Sequence, residues 1–264
     1  MGKSLKWYLR RHSLLYKIRF RLVSKKRTDS QLEKYCYNDI NPINNIPDIY
    51  FNINQNIFPI KNEDRTDLKK ALKIARWLRN NIPGGAGLGK SSETTLRKMI
   101  KGEGGVCSDL AQVFNNFCVI NDVKVKEWGL KIISDNPSIR GGHSFNEIYS
   151  KEFEKWILID VSKSIYFYDL NPKQPLSVFE YMKLKEENKK IQFLIFNKKI
   201  VPEKKRIKAL YFNSSSFPFL ITHYCNKTYD YFLDKLDFLP ESIVHGIIYL
   251  TGKSYVFEFP IRQE

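Results

Sequence analysis

The stretch Gly104-Gly105-Val106-Cys107-Ser108-Asp109 reads as a loop that delivers a cysteine onto the N-terminus of a helix. From Leu110 onward, Leu110, Ala111, Phe114, Phe117 and Cys118 recur at helical spacing, so one face of the helix is apolar and Cys107 lies one turn before that stripe. The two glycines allow a tight turn and keep backbone bulk away from the sulfur. Ser108 and Asp109 suit a first helical turn, where N–H groups have no helical partner. A thiol there feels the positive end of the helix, which favours the thiolate. Taken alone, the same stretch is also an ordinary helix start, because free cysteines are commonly buried.

The chain of 264 residues is long enough for one large domain or two small ones, and its 42% apolar and 14% aromatic content is that of a folded protein. No run approaches the ~20 apolar residues needed to cross a bilayer, and Lys and Arg interrupt the N-terminal apolar residues, so no signal peptide is expected. The four cysteines, Cys36, Cys107, Cys118 and Cys225, form no C-x-x-C pair. A cytoplasmic protein with free thiols and neither metal nor cofactor is the expectation. The net charge of +16 is unevenly placed, because residues 1–27 hold ten Lys/Arg and no acid.

That segment, 1–27, reads as a basic amphipathic helix with Leu5, Tyr8, Leu9, Leu15, Tyr16, Phe20 and Val23 roughly on one side. It suits an anionic membrane surface or an acidic partner, and equally a helix packed on the body with its charges in water. No nucleic-acid motif is present. Residues 28–65, rich in Asn, Ile and Pro, read as an extended connector with strand-like pieces near Ile49–Phe51 and Ile57–Ile60. Helices follow over Asp67–Asn81 and Ser92–Lys101, then the Cys107 helix to Asn121. The run Gly84–Ser91 fits the letters of a phosphate loop, but a helix and Pro83 precede it where a buried strand is required.

After Asn121 the period changes. Val123–Ile133, His143–Tyr149 and Trp156–Asp160 read as strands, with a loop over Ser134–Gly142 and a turn over Ser150–Lys155. Helices then antiparallel strands make an α+β fold. Further on, Ser177–Lys189 and Tyr229–Phe238 read as helices, and Ile191–Phe196 and Tyr255–Phe259 as strands. His223, Cys225 and His245 have no metal-site spacing and read as ordinary residues.

His143 opens one strand and Asp160 ends the next. In a hairpin whose partner numbers sum to 303, His143 sits opposite Asp160, Phe145 opposite Leu158 and Glu147 opposite Trp156, all six on one face. Paired Cβ atoms then lie about 4.5–5.5 Å apart. If that face packs on the Cys107 helix, thiol, imidazole and carboxylate converge. Cys107 would be the nucleophile, His143 the proton carrier and Asp160 its orienting group, with the Cys107 N–H as first oxyanion donor. For the second donor Trp77, Asn80 and Gln112 are only guesses.

The pieces G-G-V-C-S-D-L-A, G-G-H-S-F-N-E-I and W-I-L-I-D-V-S, with separations of 36 and 17 residues between Cys107, His143 and Asp160, resemble the three motifs of the transglutaminase-like superfamily. The W-L-R-N-N-I ending of the preceding helix is similar to that family's lead-in helix. The likeness spans about residues 65–165. It departs from the family at Phe145, where a Trp is common. What it implies is a papain-like α+β core, a central Cys-bearing helix on an antiparallel sheet, that forms a thioester and passes the acyl group to an amine or water. The implied substrate is an acyl or amide compound: a protein, a peptide or, by likeness to enzymes of bacterial surface-polysaccharide pathways, an acidic sugar. The organisation expected is a basic helix over 1–27, a connector over 28–65, the catalytic core over 66–165 and a C-terminal extension over 166–264 packed on it. A catalytically silent binding module with a polyanion-binding tail is the competing expectation.

Overall fold

The computed structural model describes residues 13–59, 66–132, 141–170, 174–197, 199, 202–213 and 215–261. The first twelve residues of the basic segment and the loop over 134–140 lie outside the described residues. Within them the fold is mixed α+β, built on one eight-stranded sheet.

The elements before the site are α1 (Ser13–Val23), β1 (Ser24–Arg27), α2 (Asp29–Lys34), α3 (Tyr37–Ile40), α4 (Asp48–Ile57), α5 (Asp67–Asn81) and α6 (Ser92–Ile100). The site region is α7 (Cys107–Ile120), β2 (Val125–Ile132), β3 (Gly141–Ser150), β4 (Lys155–Asp160) and β5 (Ile165–Tyr168). Then come α8 (Val178–Glu186), β6 (Gln192–Ile195), α9 (Lys204–Tyr211), β7 (Ser216–Thr222), α10 (Asn226–Lys235), α11 (Glu241–Leu250) and β8 (Val256–Pro260). The strand order is β1-β8-β7-β2-β3-β4-β5-β6, parallel only between β1 and β8.

Two readings are corrected. The basic segment is not one helix to residue 27: α1 stops at Val23, and Ser24–Arg27 becomes an edge strand paired with Phe257–Pro260. Residues 28–59 are not an extended connector with strands, since 48–57 is a helix and two short helices precede it, while the end of the expected piece Ile57–Ile60 and residues 61–65 lie outside the described residues. The reason is tertiary. Asn38 donates to the Val123 carbonyl at 3.1 Å and accepts from the Val125 N–H at 3.0 Å, while Asn41 donates to the Tyr224 carbonyl at 2.7 Å. These asparagines clamp the segment to the body, and such partners leave no local periodicity.

Period-two alternation sorts the sheet into two cores. One face carries Ile148, Ile157, Ile159 and Phe257 against α4 to α7, α10 and α11. The other carries Trp128, Leu130, Phe145, Leu158 and Phe167 against Tyr181 of α8 and Ile207 and Tyr211 of α9. Helix α7 is buried on nearly all sides, including Asn115 and Asn116. The Asn116 carboxamide oxygen accepts from Tyr37 Oη at 3.0 Å and from Asn226 Nδ2 at 2.7 Å, tying α3 and α10 to α7.

Candidate active site

Cys107 is the first residue of α7, where the backbone N–H has no helical acceptor and the helix dipole is positive. Two backbone bridges hold the approach loop: the Gly85 N–H donates to the Gly105 carbonyl at 3.0 Å, and the Gly105 N–H to the Ala86 carbonyl at 2.9 Å. At Gly104, with φ +153°, a Cβ would stand 2.5 Å from the Ala86 oxygen, so glycine is required. Asp109 adds a side-chain brace, accepting from the Val106 N–H at 2.9 Å and the Leu88 N–H at 3.2 Å. The phosphate-loop lettering of Gly84–Ser91 is thus used to hold the cysteine loop.

The β3–β4 hairpin has the expected alternation but a register moved by two residues. Asn146 pairs with Ile159 and Ser150 with Lys155, so partner numbers sum to 305. The turn sits one residue later along the chain: residues 151–154 connect the strands, with Glu154 in the left-handed conformation at φ 52°. A shift of two keeps every side chain on its face. His143 is therefore diagonal to Asp160, and its Nε2 lies 2.7 Å from Asp160 Oδ2.

The face that packs on α7 is not the one expected. Asn146, on the opposite face from His143, donates to the Ala111 carbonyl of α7 at 3.1 Å. His143 and Asp160 share their face with Tyr211. The groups meet because the β3–β4 ladder ends at Asn146 and Ile159, so the first residues of β3 stand clear of β4. There Cys107, His143 and Ser144 line one cavity.

Asp160 is fully buried, and both its oxygens are engaged. Oδ2 accepts from Tyr211 Oη at 2.8 Å as well as facing His143. Oδ1 accepts from the Lys163 N–H at 2.9 Å and Ser162 Oγ at 3.1 Å, a turn that fixes the carboxylate after β4 ends. Burial pushes the Asp160 carboxyl up, but the charge and hydrogen bond of His143, with Lys163, hold it below the usual range. Burial pulls His143 down, and the Asp160 charge outweighs it, pushing the imidazole up to about 10. Burial raises the Cys107 thiol, yet the hydrogen bond and charge of His143 bring it below its ordinary value. The three shifts act together: the His143 charge favours the ionised forms of both Cys107 and Asp160, and the Asp160 charge favours the imidazolium.

A cavity of about 610 Å³ opens beside the sulfur, lined among others by Cys107, His143, Ser144, Gln112, Glu127 and Tyr224. Of the guessed oxyanion donors only Gln112 faces it. Trp77 packs its ring on Phe117, and Asn80 accepts from Asn197. Sequence reasoning missed Tyr211 and Glu127. Ile207 and Tyr211, four apart in K-K-R-I-K-A-L-Y, are the only local signal for α9. His245, read as ordinary, also lines the cavity, 3.6 Å from Glu241. Among the described residues no group of three His, Cys, Asp or Glu side chains is placed to hold a metal ion. None of the described helices is long and apolar enough to cross a membrane.

No family model and no curated protein matches the chain. A solved structure described as a "putative cysteine protease" from Cytophaga hutchinsonii is similar over 52% of this chain at 22% identity and a TM-score of 0.36. The match covers 45% of that protein, so this chain corresponds to under half of its length.

Proposed function

We propose that the protein is a cysteine acyl-transfer or hydrolytic enzyme of transglutaminase-like type, with Cys107 as nucleophile, His143 as acid–base and Asp160 as the positioning carboxylate. The observation that carries this reading is the buried His143–Asp160 pair, 2.7 Å apart, with His143 lining the same cavity as Cys107 at the start of α7. The thiolate attacks the acyl carbon, forming the S–C bond and an oxyanion beside the Cys107 N–H. His143 gives its proton to the leaving amine or alcohol as that bond breaks, leaving a thioester. Water or an amine then attacks the thioester, losing its proton to His143, and sulfur departs as thiolate.

The test is selective labelling. A thiol-reactive acyl probe at neutral pH should acylate Cys107 faster than Cys36, Cys118 or Cys225, and His143→Ala should slow that reaction. A catalytically silent binding module instead expects no chemistry beyond slow labelling, with His143→Ala without effect. Equal rates at all four thiols in both chains would decide for the silent module.

We also propose that α1 lies on an anionic membrane surface. Its Phe20 and Val23 pack inward, while Leu14, Ile18 and Leu22, one stripe at helical spacing, face solvent beside exposed Lys17, Arg21, Lys25 and Lys26.

A further inference from the structure

The cavity beside Cys107 has a second end. In the sheet, Phe257 pairs with Ile221 and Ile221 with Glu127, so these three lie on one rung across β8, β7 and β2 and face the same side. Two residues along β2, Gly129 leaves the space a side chain would fill, and the Phe219 ring occupies it; a Cβ there would stand 2.2 Å from that ring. Tyr224 and Tyr255, both stacked on Tyr229, also line the cavity. The result is a pocket whose Glu127 end has apolar and aromatic neighbours, with Asp109 and Glu241 elsewhere in its lining.

Glu127 is only 3% exposed, yet it lines the cavity. Its Oε2 accepts from Asn115 Nδ2 at 3.0 Å. Its Oε1 has no hydrogen bond among the described residues. A buried carboxyl with one unused oxygen and no cation beside it is costly unless something completes it. Burial pushes it up to about 8 despite Asn115, and its charged neighbours Cys107 and Asp109 push the same way. A cation at the open oxygen would supply the missing partner and offset the repulsion from Cys107 and Asp109, and aromatic rings are good walls for one.

We propose that this pocket selects substrates whose apolar arm ends in a protonated primary amine, with Glu127 taking the ammonium while the reacting carbonyl lies at Cys107. The inference rests on the acyl-transfer reading of Cys107 and adds to it the substrate class. Arg19 and Lys90 line the same cavity, so its charge is divided and the ammonium belongs only at the Glu127 end.

The test compares two activated esters of matched length, p-nitrophenyl 6-aminohexanoate and p-nitrophenyl heptanoate. The wild-type chain should acylate Cys107 about tenfold faster with the cationic ester, and Glu127→Gln should bring the ratio near one. Equal rates with the two esters in wild type, or an unchanged ratio in Glu127→Gln, would overturn the inference. Binding of pentylammonium against pentanol to Cys107→Ala, followed by the rise in melting temperature, gives an answer independent of the chemistry. A larger rise with pentylammonium that is lost in the Cys107→Ala, Glu127→Gln double variant supports the pocket. Equal rises refute it. If neither ester acylates Cys107, the enzymatic reading fails and the binding comparison alone decides the pocket.

Discussion

Asp160→Asn is the sharpest test of how the site works. The carboxylate receives two hydrogen bonds on each oxygen, from Lys163 and Ser162 on Oδ1 and from Tyr211 and His143 on Oδ2. A carboxamide offers only one accepting oxygen. The Lys163 donor is backbone and cannot turn away, so the amide oxygen must take the Oδ1 place and the NH₂ must face His143. The imidazole then has to accept at Nε2, which puts its proton on Nδ1, the nitrogen left to face the Cys107 thiol, and blocks proton transfer from sulfur. The lost proton transfer is general acid–base catalysis, worth about 10²–10⁴-fold, so kcat/KM should fall about a thousandfold. The assay is the rate of Cys107 alkylation by iodoacetamide from acid to alkaline pH, with a melting curve to establish folding. A lowered thiol keeps the wild-type rate high as pH falls below the ordinary cysteine value of about 8.5, until pH passes the folded value. In Asp160→Asn the imidazolium is gone and its lowering of the thiol goes with it, so the acid limb should move up toward about 8.5. A folded variant whose profile overlays that of wild type would refute the thiolate–imidazolium reading.

Three further outcomes follow from particular contacts. Tyr211→Phe removes one hydrogen bond to a buried carboxylate, worth about 1.5–3 kcal/mol, so turnover should drop roughly tenfold to a hundredfold with KM little changed; wild-type turnover would dismiss Tyr211 as a positioning residue. Gly104→Ala places a methyl against the Ala86 oxygen and should cost about 1–3 kcal/mol and slow Cys107 labelling, whereas Gly252→Ala, at φ +71° with open space around it, should lower stability without touching the labelling rate. Ile18→Asp with Leu22→Asp should abolish co-sedimentation with anionic vesicles at low salt and leave Cys107 labelling as it was; unchanged sedimentation would remove the membrane role of α1.

The helices around the cysteine were legible because their signals are local. Thr66 caps α5 by accepting from the Lys69 N–H at 3.4 Å, and Pro83 with Gly84 follows its end. Ser177 and Glu180 form the reciprocal cap that opens α8. What stayed illegible was whatever depends on a distant partner. Leu32 is buried in the second core and Tyr37 in the first, so the helices between β1 and α4 are held by tertiary packing, without a periodic stripe of their own. Strand β7 was hidden for a related reason. In S-F-P-F-L-I-T a proline interrupts the run, and Pro218 is tolerated in an inner strand, opposite Leu130 of β2, against the usual rule. Helix α11, E-S-I-V-H-G-I-I-Y-L, carries apolar residues both toward the body, at Val244 and Ile248, and into solvent, at Ile243 and Leu250, which blurs its period.

The site itself divides along the same line. Alternation puts His143, Phe145, Leu158 and Asp160 on one face whether the hairpin numbers sum to 303 or 305, because a two-residue slip conserves faces. The pairing of imidazole with carboxylate therefore survived an incorrect register. Alternation does not say where a ladder stops, and that is what joins the cysteine to the pair. Helix α7 lies over the face of Asn146, while Tyr211 supports Asp160 from the other. Had β3 and β4 stayed paired past Asn146, the sheet would stand between the thiol and the imidazole. The open first residues of β3, entered through Gly141 and Gly142, are thus the structural condition for the site.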